Sequence, residues 1–436
     1  MRSNGIFFFQ HDLRLSDNPA LLAVVQRCDQ LLCVYLVHQL TLRDTQWQPQ
    51  HRQNGALSAQ RQLFLYQSLQ DLDRQLTSHG QALHLCVTAD PVDTMDELMG
   101  YVQPTVVGMS RHAGVNETTQ LTALKRLARN HASECIEGPP STLFNDDDLP
   151  FALDDMPNVF SPFRRKIEKS LTPNQVVDAP ASLKPKVPDF DYCSYESIGL
   201  STAHGKQHFP RLIGGETAAL AQLDYYTFKC DALASYKETR NGLDGWDFSS
   251  KLSAWLAHGC ISPRQVYQTI GAYEKERVKN DSTYWLYFEL LWREFFHWQL
   301  TKHGAAFFQF GGIQQSPPTT RHDHERFTRW CDGDTGYPIV DACMRQLNTT
   351  GFMSNRGRQL VASCFVHELN LDWRYGAAYF EKQLVDYDVA SNWGNWQYLA
   401  GVGSDPRGHR QFNLEKQTQT YDPDRQFIQR WLDDAS

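Results

Sequence analysis

Long apolar runs are missing from this chain of 436 residues. No segment approaches the roughly 18 apolar residues that a membrane-spanning helix requires. The apolar stretch near the N-terminus, Ile6–Phe9, is too short for the core of a signal peptide. The ten cysteines lie far apart, and none forms a Cys-x-x-Cys pair. We therefore expect that the protein does not contact membranes, that its thiols are reduced and that it is cytoplasmic.

The glycine-rich motifs of common nucleotide-binding folds are also absent. There is no Gly-x-x-x-x-Gly-Lys-Ser/Thr loop, and no Gly-x-Gly-x-x-Gly follows the first apolar run. The sequence thus argues against a nucleotide hydrolase or an ordinary dinucleotide dehydrogenase. The run Arg321–Glu325 holds two histidines and two carboxylates, but it follows Pro317 and Pro318 and lacks ligands at helical spacing, which favours a solvated loop. We expect no metal site.

Positive charge is scarce, because 42 basic against 50 acidic side chains leave a net charge of −8. Residues 1–200 hold 17 basic and 23 acidic side chains, a net −6, and residues 201–436 hold 25 and 27, a net −2. This balance excludes a uniformly basic nucleic-acid coat, so any contact with nucleic acid must be local. Aromatic residues are abundant, at 12% of the chain.

Short apolar runs alternate with helical patterns in the first third of the chain. The runs typical of buried strands are Ile6–Phe9, Leu31–Val37, Ala82–Val87 and Thr105–Met109, and the helical patterns are Leu57–Leu76, Val92–Tyr101 and Glu117–Ala128. This alternation predicts an α/β domain with a doubly wound parallel sheet. Such sheets bind ligands beyond the carboxyl ends of their strands, so Gln10–Arg14 is a candidate ligand edge. The alternative is a capped turn, with Ser16 or Asp17 as N-cap.

The remaining chain divides into two further regions. Residues 1–138 form the predicted α/β domain, and the many prolines between 139 and 214 break up any long element and predict a surface connector. Residues 215–436 show helical spacing almost throughout, which predicts an all-α domain. Its clearest helices are Trp285–Leu300 and Gly357–Leu369.

Three constellations in the helical region could carry chemistry. The run Ser249–Ser253 could hold a phosphate at a helix N-terminus, or could be a serine-rich cap. Glu289 and Arg293 are four residues apart, so they form either a surface pair or, on so aromatic a helix, part of a polar pocket. The runs Asn355–Gln359 and Asp386–Trp396 combine donors, acceptors and large rings. They suit a planar, polar-edged ligand such as a flavin, or a tryptophan-rich core with buried ion pairs.

Several long motifs resemble those of the photolyase/cryptochrome family. The run Phe9–Leu21, which reads FQHDLRLSDNPAL, is similar to the family's opening signature, and Thr335–Ala342, which reads TGYPIVDA and continues to Asn355 and Arg356, is similar to its most specific motif. Further runs resemble the cryptochrome-DASH branch: Phe160–Arg164, Gly401–Arg407, Arg410–Asn413 and Lys416–Gln417. The likeness covers nearly the whole chain and implies an α/β domain, a connector and an all-α FAD-binding domain.

The resemblance also implies roles for residues around FAD. The expected contacts to the FAD phosphates are Tyr236, Ser249, Ser250, Lys251, Leu252 and Ser253. Arg358 and Asp386 would form an ion pair beside the isoalloxazine ring. Asp388 would lie near the pyrimidine edge of that ring, and Asn392 would face its N5 atom. A charge pair and a dipole at these places would favour the reduced, anionic flavin.

The implied activity is light-driven repair of cyclobutane pyrimidine dimers by electron transfer from reduced flavin, a lyase reaction without metal. Glu289 would hydrogen-bond the dimer, and Trp292 would stack on it. Asn355, Arg356 and Gln359 would line the same cavity, and Arg240 and Gln417 would touch the DNA strand. Because the lesion must leave the helix, single-stranded or unpaired DNA is the expected substrate. The alternative is a blue-light receptor that signals through an unidentified partner.

Electron supply and light harvesting depart from the family pattern. Trp396 and Trp373 match the inner members of a tryptophan chain, but the outer position falls near Thr320, and the nearest tryptophan is Trp330. Where the family's folate-binding segment usually presents a glutamate, this chain has Ser110–Gly114. We therefore expect weak or absent binding of a methenyltetrahydrofolate antenna.

Overall fold

A parallel five-stranded sheet forms the N-terminal region in the computed structural model, which describes residues 3–38, 57–188, 211–405 and 410–433. Its strands are β1 (Asn4–Phe9), β2 (Gln30–His38), β3 (Leu83–Thr88), β4 (Val106–Ser110) and β5 (Glu134–Gly138). The strand order is β3-β2-β1-β4-β5, and every pairing is parallel. The predicted doubly wound sheet is therefore confirmed. The edge strand β5 was not predicted, because its ECIEG sequence lacks an apolar run.

Strand β1 shows how the sheet is buried on both faces. Its side chains alternate, so that Phe7 and Phe9 join the larger core while Ile6 and Phe8 join the smaller one. The helices that cover the sheet are α1 (Pro19–Val25), α2 (Ala59–Ser78), α3 (Pro91–Val102) and α4 (Val115–Asn130). Helices α3 and α4 contribute to the smaller core, and α1 and α2 contribute to the larger one.

Helix α1 lies unusually close to the sheet because two strand residues lack a side chain. A Cβ on Gly108 would collide with Val24, and one on Gly138 would collide with Ala20. The helix begins after Asn18, whose side chain accepts a hydrogen bond from the Leu21 N–H. The alternative of Ser16 or Asp17 as N-cap is therefore wrong, since both residues face the helical region instead.

The connector is more ordered than the proline content predicted. It contains an 11-residue helix, α5 (Phe160–Ser170), with Phe160, Phe163 and Ile167 buried. Pro162 is tolerated because it lies in the first turn, where its missing N–H has no helical partner to lose. The prediction that no long element forms here is thus wrong for α5, and residues 189–210 of the connector lie outside the described residues.

The rest of the described chain is helical, as predicted. Its α-helices are α6 (Glu216–Asp224), α7 (Tyr236–Thr239), α8 (Ser253–His258), α9 (Pro263–Glu276), α10 (Asp281–His303), α11 (His324–Asp332), α12 (Pro338–Thr350), α13 (Asn355–Ser363), α14 (Trp373–Gln383), α15 (Val389–Ala400), α16 (Leu414–Tyr421) and α17 (Gln426–Asp433). The predicted helix Gly357–Leu369 is instead α13 followed by a π-helical turn, Cys364–Glu368. Among the residues described, no helix is long and apolar enough to cross a membrane.

A buried polar contact fastens the loop after β1 to the helical region. Arg264 Nε lies 2.8 Å from Asp17 Oδ2, and neither side chain is more than 4% exposed. The second Asp17 oxygen accepts a hydrogen bond from the Val177 N–H of the connector. Nearby, Arg14 donates to the Gly259 carbonyl over 2.9 Å. Gly259 has φ +67°, and a Cβ there would collide with the His11 carbonyl, so the two regions touch backbone to backbone.

Replacing Asp17 with alanine should reduce the free energy of unfolding by about 3–5 kcal/mol, because it leaves the Arg264 charge buried and unpaired. The matched control is Glu134→Ala, which removes the exposed partner of Arg27 and should cost less than about 1 kcal/mol. Urea unfolding followed by circular dichroism measures both. Equal losses in the two variants would contradict the importance of the buried pair.

Candidate functional site

Helices α13 and α15 frame the predicted flavin-ring site. Arg358, on α13, donates through one terminal nitrogen to both carboxylate oxygens of Asp386, at 2.9 and 2.7 Å. Asp386 is only 6% exposed, so its charge depends on this partner. The ion pair expected from the resemblance is present.

Asp388 lies just before α15 and caps it, since its side chain accepts a hydrogen bond from the Ser391 N–H over 2.7 Å. An Arg293 nitrogen lies 3.9 Å from the same carboxylate. Burial alone would raise the pKa of Asp388, but Arg293 and the Ser391 N–H more than offset it and hold the pKa below its ordinary value. The residue therefore presents a carboxylate at neutral pH.

Asn392 and Trp396 share one face of α15, four residues apart. The Asn392 amide donates to the Ala377 carbonyl over 3.0 Å, which fixes its orientation. The Trp396 ring lies against Gly376 of α14, where any Cβ would collide with it. Trp373, one turn earlier in α14, is fully buried and donates to the Phe310 carbonyl. The two predicted tryptophans thus sit on adjoining helices.

Trp330 does not occupy an outer, solvent-facing position. It is fully buried, and its ring centroid lies 6.1 Å from that of Trp396 and 5.5 Å from that of the half-buried Tyr379. His322, two residues after Thr320 in the sequence, stacks on Tyr375 with ring centroids 3.8 Å apart. Trp330 is consequently a buried neighbour of the inner tryptophan, Trp396.

The run Ser249–Ser253 forms a tight loop that leads into α8. Ser250, Lys251 and Leu252 are buried, and Lys251 adopts φ +58° in the left-handed region. The Lys251 ammonium donates to the Gly245 carbonyl and the Ser249 hydroxyl, and burial lowers its pKa to about 8 despite the nearby Asp244 and Asp247. Tyr236, also buried, has a pKa raised by burial.

Glu289 and Arg293 do not pair with each other, so the surface-pair alternative is wrong. Glu289 instead forms an ion pair with Arg240, and Arg293 donates to the Ser141 carbonyl over 2.7 Å. Burial raises the pKa of Glu289 above its ordinary value, and Arg240 only partly offsets this. Glu289 and Arg293 of α10 thus each interact with a residue that is distant in the sequence.

Arg356 extends the same polar surface. Its guanidinium lies 3.4 Å from Gln417 Oε1 and 3.3 Å from Asn241 Oδ1, and it stacks over the Tyr421 ring at 4.6 Å. Asn355 beside it is exposed, and Gln359 is half-buried. Because Asn241 follows Arg240 directly, four predicted site residues, from three helices and the end of α7, form one connected surface, here called the polar rim: Arg240, Glu289, Arg356 and Gln417.

Trp292 is half-buried and has one ring face covered. Phe160, from the connector helix, stacks on it with centroids 3.7 Å apart and planes 11° apart. The Tyr398 ring meets Trp292 edge-on at 6.1 Å. The run FSPFR, noted only as a family motif, therefore acts by supporting Trp292.

One polar cluster was missed in the sequence. His11 Nε2 lies 3.0 Å from Glu117 Oε1, and the His11 and His112 rings stack with centroids 4.3 Å apart. Burial and His11 lower the pKa of His112 to about 4, and the two histidines lower that of Glu117 to about 2 although burial opposes this. The signal that could have found it is positional, since His11 and His112 each follow a buried strand. By contrast, the Arg321–Glu325 run forms no cluster of three ligands within the part of the chain described.

The donor set of the helical region fits FAD. The hydrogen bonds described for the buried Lys251 ammonium go to neutral oxygens, so a diphosphate would supply a counter-charge at closer range than the nearby Asp244 and Asp247. On the other side, Arg358–Asp386 and the fixed amide of Asn392 present charge and hydrogen bonds suited to the edge of a flavin ring. The residues thus match a cofactor with one anionic and one planar, polar end.

Comparison with known proteins agrees with this architecture. Residues 5–185 match the family described as DNA photolyase, and residues 285–436 match the FAD binding domain of DNA photolyase. A relative from Idiomarina loihiensis called cryptochrome DASH is 48% identical over 433 residues, covering 99% of this chain and 93% of the relative. A crystal structure of a Synechocystis sp. cryptochrome superposes with a TM-score of 0.92 at 39% identity, covering 99% of this chain and 89% of that chain. A bacterial class III photolyase from Agrobacterium tumefaciens superposes with a TM-score of 0.86 at 30% identity, covering 99% and 86%.

A parallel α/β sheet followed by a helical FAD-binding region defines the class of photolyase-type flavoproteins. The similarity to proteins called cryptochrome DASH extends over almost the full length of the chain. The chain therefore belongs to the photolyase/cryptochrome family, in its cryptochrome-DASH branch.

Proposed function

We propose that this protein is a light-driven DNA repair lyase that uses FAD to split cyclobutane pyrimidine dimers, mainly in single-stranded DNA. The observation that carries the proposal is the polar rim, because it joins residues from separate segments into one surface with an acid, two guanidiniums and an amide. Such a surface can bind both a base edge and the backbone of one strand.

Glu289 is suited to a lesion that gains negative charge. Burial raises its pKa above the ordinary value, which favours the protonated form that can donate to a pyrimidine carbonyl. Arg240 stays beside it and stabilises negative charge that develops on the base. Trp292, with Phe160 stacked on one of its ring faces, would stack on the dimer.

FAD would supply a light-absorbing donor of single electrons. We assign its phosphates to Lys251, Tyr236 and the serines of the Ser249–Ser253 loop, where the buried ammonium needs an anion. We assign its ring to the space beside Arg358, Asp386 and Asn392. The Asp388 carboxylate, held by Arg293, would accept a hydrogen bond from the pyrimidine edge of that ring.

Electrons from the surface reach the flavin through Trp396, the innermost tryptophan of the chain, and two routes lead outward from it. One route continues to Trp373 in the adjoining helix, as in the family pattern. A second route runs through Trp330 to Tyr379, since successive ring centroids are 6.1 and 5.5 Å apart. The second route compensates for the missing aromatic residue at Thr320.

Folate is not expected to serve as an antenna. The carboxylate that lies against the Ser110–Gly114 segment is that of Glu117, since a Cβ on Gly114 would collide with it. That carboxylate is already engaged by His11, so it is a poor substitute for the absent glutamate.

We expect single-stranded DNA to be the main substrate, the affinity for undamaged DNA to be modest and the protein to be cytoplasmic. Extruding a dimer from a duplex requires unstacking and unpairing, which costs a few kcal/mol that single-stranded DNA does not require. The net charge of −8 gives little long-range attraction, so affinity for undamaged DNA should be modest. The nine cysteines among the described residues are free thiols, which supports a cytoplasmic location.

The affinity for FAD should fall as the pH rises above about 8, because Lys251 loses its proton near that value and a neutral amine no longer attracts the diphosphate. Below that pH the affinity for FAD should not change with pH. Lys251→Met should weaken binding at pH 7 about tenfold or more, the value of one charge-assisted hydrogen bond, and abolish the fall at high pH.

Quenching of flavin fluorescence measures this affinity. The control is Lys237→Met, which removes a more exposed lysine paired with Asp281 and should leave the pH dependence unchanged. A wild-type affinity that stays level through pH 10, or a K251M variant that keeps the same fall, would show that Lys251 does not face the phosphates.

Light-driven reduction of bound flavin by an external thiol should be slowed most by Trp396→Phe, because both routes start there. Trp373→Phe and Trp330→Phe should each slow flavin reduction less than Trp396→Phe does. The variant that carries both of these substitutions should reduce flavin almost as slowly as W396F. The measurement is the loss of oxidised-flavin absorbance under blue light, with Trp431→Phe on α17 as the control. Reduction by W396F at the wild-type rate would refute the assignment.

The function itself is tested by illuminating the reduced protein with an oligonucleotide that contains one dimer and following loss of the lesion by chromatography. We expect light-dependent repair, faster on single-stranded than on double-stranded DNA. Glu289→Ala should lower the repair yield about tenfold or more, because the lesion loses its hydrogen-bond donor.

Glu325→Ala, an exposed carboxylate on α11, is the matched control and should repair normally. Equal FAD content in both variants shows that the helical region is intact. If the wild-type protein repairs neither form of DNA, the repair proposal fails and the receptor alternative takes its place.

A further inference from the structure

The His11–His112–Glu117 cluster lies at the point where the winding of the sheet reverses. In the order β3-β2-β1-β4-β5, the chain leaves β1 toward one side and β4 toward the other. The loops after these two strands therefore separate and leave a crevice, the usual place for a ligand in such sheets. His11 follows β1 and His112 follows β4, and both line a cleft at this edge.

Three side chains of the cluster offer ligand atoms at short range. One atom from each of His11, His112 and Glu117 lies within 4.8 Å of the others. The closest pair is His11 Nε2 and Glu117 Oε1 at 3.0 Å, and His112 Nδ1 lies 3.8 Å from Glu117 Oε2. A tetrahedral ion with bonds of about 2.0–2.1 Å needs ligand atoms about 3.3 Å apart, so small side-chain shifts suffice.

Unsatisfied oxygens line the same place. Glu117 Oε2 is inaccessible to solvent and has no hydrogen-bond partner among the described residues, although the other oxygen of this carboxylate is bound to His11. Gln10 Oε1, on the wall of the cleft, is also buried without a partner. Buried acceptors are normally satisfied, and a carboxylate oxygen left bare beside two imidazoles indicates a missing electrophile.

We propose that His11, His112 and Glu117 bind one divalent transition-metal ion, and that this ion is Zn²⁺. Two imidazoles and a carboxylate are a ligand set that Zn²⁺ accepts, whereas Ca²⁺ and Mg²⁺ prefer oxygen alone. Water from the cleft completes the coordination. The site is independent of dimer repair and of FAD.

The hydrogen bonding of His11 favours coordination of the metal through its Nε2 atom. Its Nδ1 lies 3.3 Å from the Ala257 carbonyl in α8, so a proton on Nδ1 is donated there and Nε2 is left for the metal. A backbone carbonyl in this role is a common way to orient a metal-binding histidine. Coordination through His112 Nδ1 replaces the hydrogen bond that this atom accepts from the Gly114 N–H, at 3.1 Å.

Nearby charges permit a cation. Arg293 acts on His112, but its ion partner Asp388 acts on both histidines and balances it. Because Arg293 and Asp388 offset each other, the Glu117 carboxylate leaves one net negative charge facing the cluster. The bound ion would join the β1 loop, the β4 loop and, through Ala257, helix α8, and would thus strengthen the contact between the sheet and the helical region.

The test uses the purified full chain, stripped with a chelator and titrated with Zn²⁺ by calorimetry and with Co²⁺ by absorption spectroscopy. We expect one ion per chain, visible Co²⁺ bands of nitrogen and oxygen ligation without thiolate charge transfer, and a rise in melting temperature that a chelator reverses. His112→Asn and Glu117→Gln should each weaken binding at least about tenfold, since even outer partners of metal ligands have effects of that size.

His131→Ala is the matched control, because His131, directly after α4, pairs with Asp96 of α3 and no third ligand joins them within the described part of the chain. It should bind Zn²⁺ like the wild type. Melting curves without metal show whether H112N and E117Q remain folded, and both keep hydrogen-bonding groups of similar size. Absence of wild-type binding, binding unchanged in both variants, or thiolate bands with Co²⁺ would each overturn the proposal.

Discussion

The buried pair of Asp17 and Arg264 is the contact on which the rest of the structure depends. Together with the bonds from Arg14 to Gly259, it presses the carboxyl edge of the sheet against the start of the helical region. Charges so inaccessible are tolerated only when they are paired, so the two regions can meet in one arrangement. The consequence is that the loop after β1, helix α8 and the Lys251 loop before it become neighbours, and the candidate sites are built around that junction.

Matched charges are the common feature of the helical site. Arg240 faces Glu289, Arg293 faces Asp388 and Arg358 faces Asp386. Each of these three cations is matched by a carboxylate, so the site gathers polar groups without a large positive charge. A chain of net charge −8 can therefore carry a densely polar site. The effect of each charged group depends on close geometry, where a low dielectric strengthens it, and little on attraction at long range.

Local pattern predicted some of these features and missed others for identifiable reasons. The alternation of apolar runs was enough for four strands, because buried parallel strands must be apolar throughout. The edge strand β5 was not predicted, because it is partly exposed and its sequence is polar. The prolines near Phe160 suggested an irregular connector, yet α5 forms because Phe160, Phe163 and Ile167 are buried and Pro162 falls in the first turn. Spacing suggested that Glu289 pairs with Arg293, whereas each is paired with a distant residue.

The sequence alone determined the class of the fold, the family and the identity of most candidate site residues, since periodicity and ordered motifs are properties of the chain itself. Tertiary structure decided which residues meet. Asp17 and Arg264 are 247 residues apart, Arg240 and Glu289 are 49 apart, and His11 and Glu117 are 106 apart. No local rule relates such positions. They are brought together because the winding of the sheet and the docking of the helices place strand ends and helix faces side by side, and buried polar groups then take the partners that packing provides.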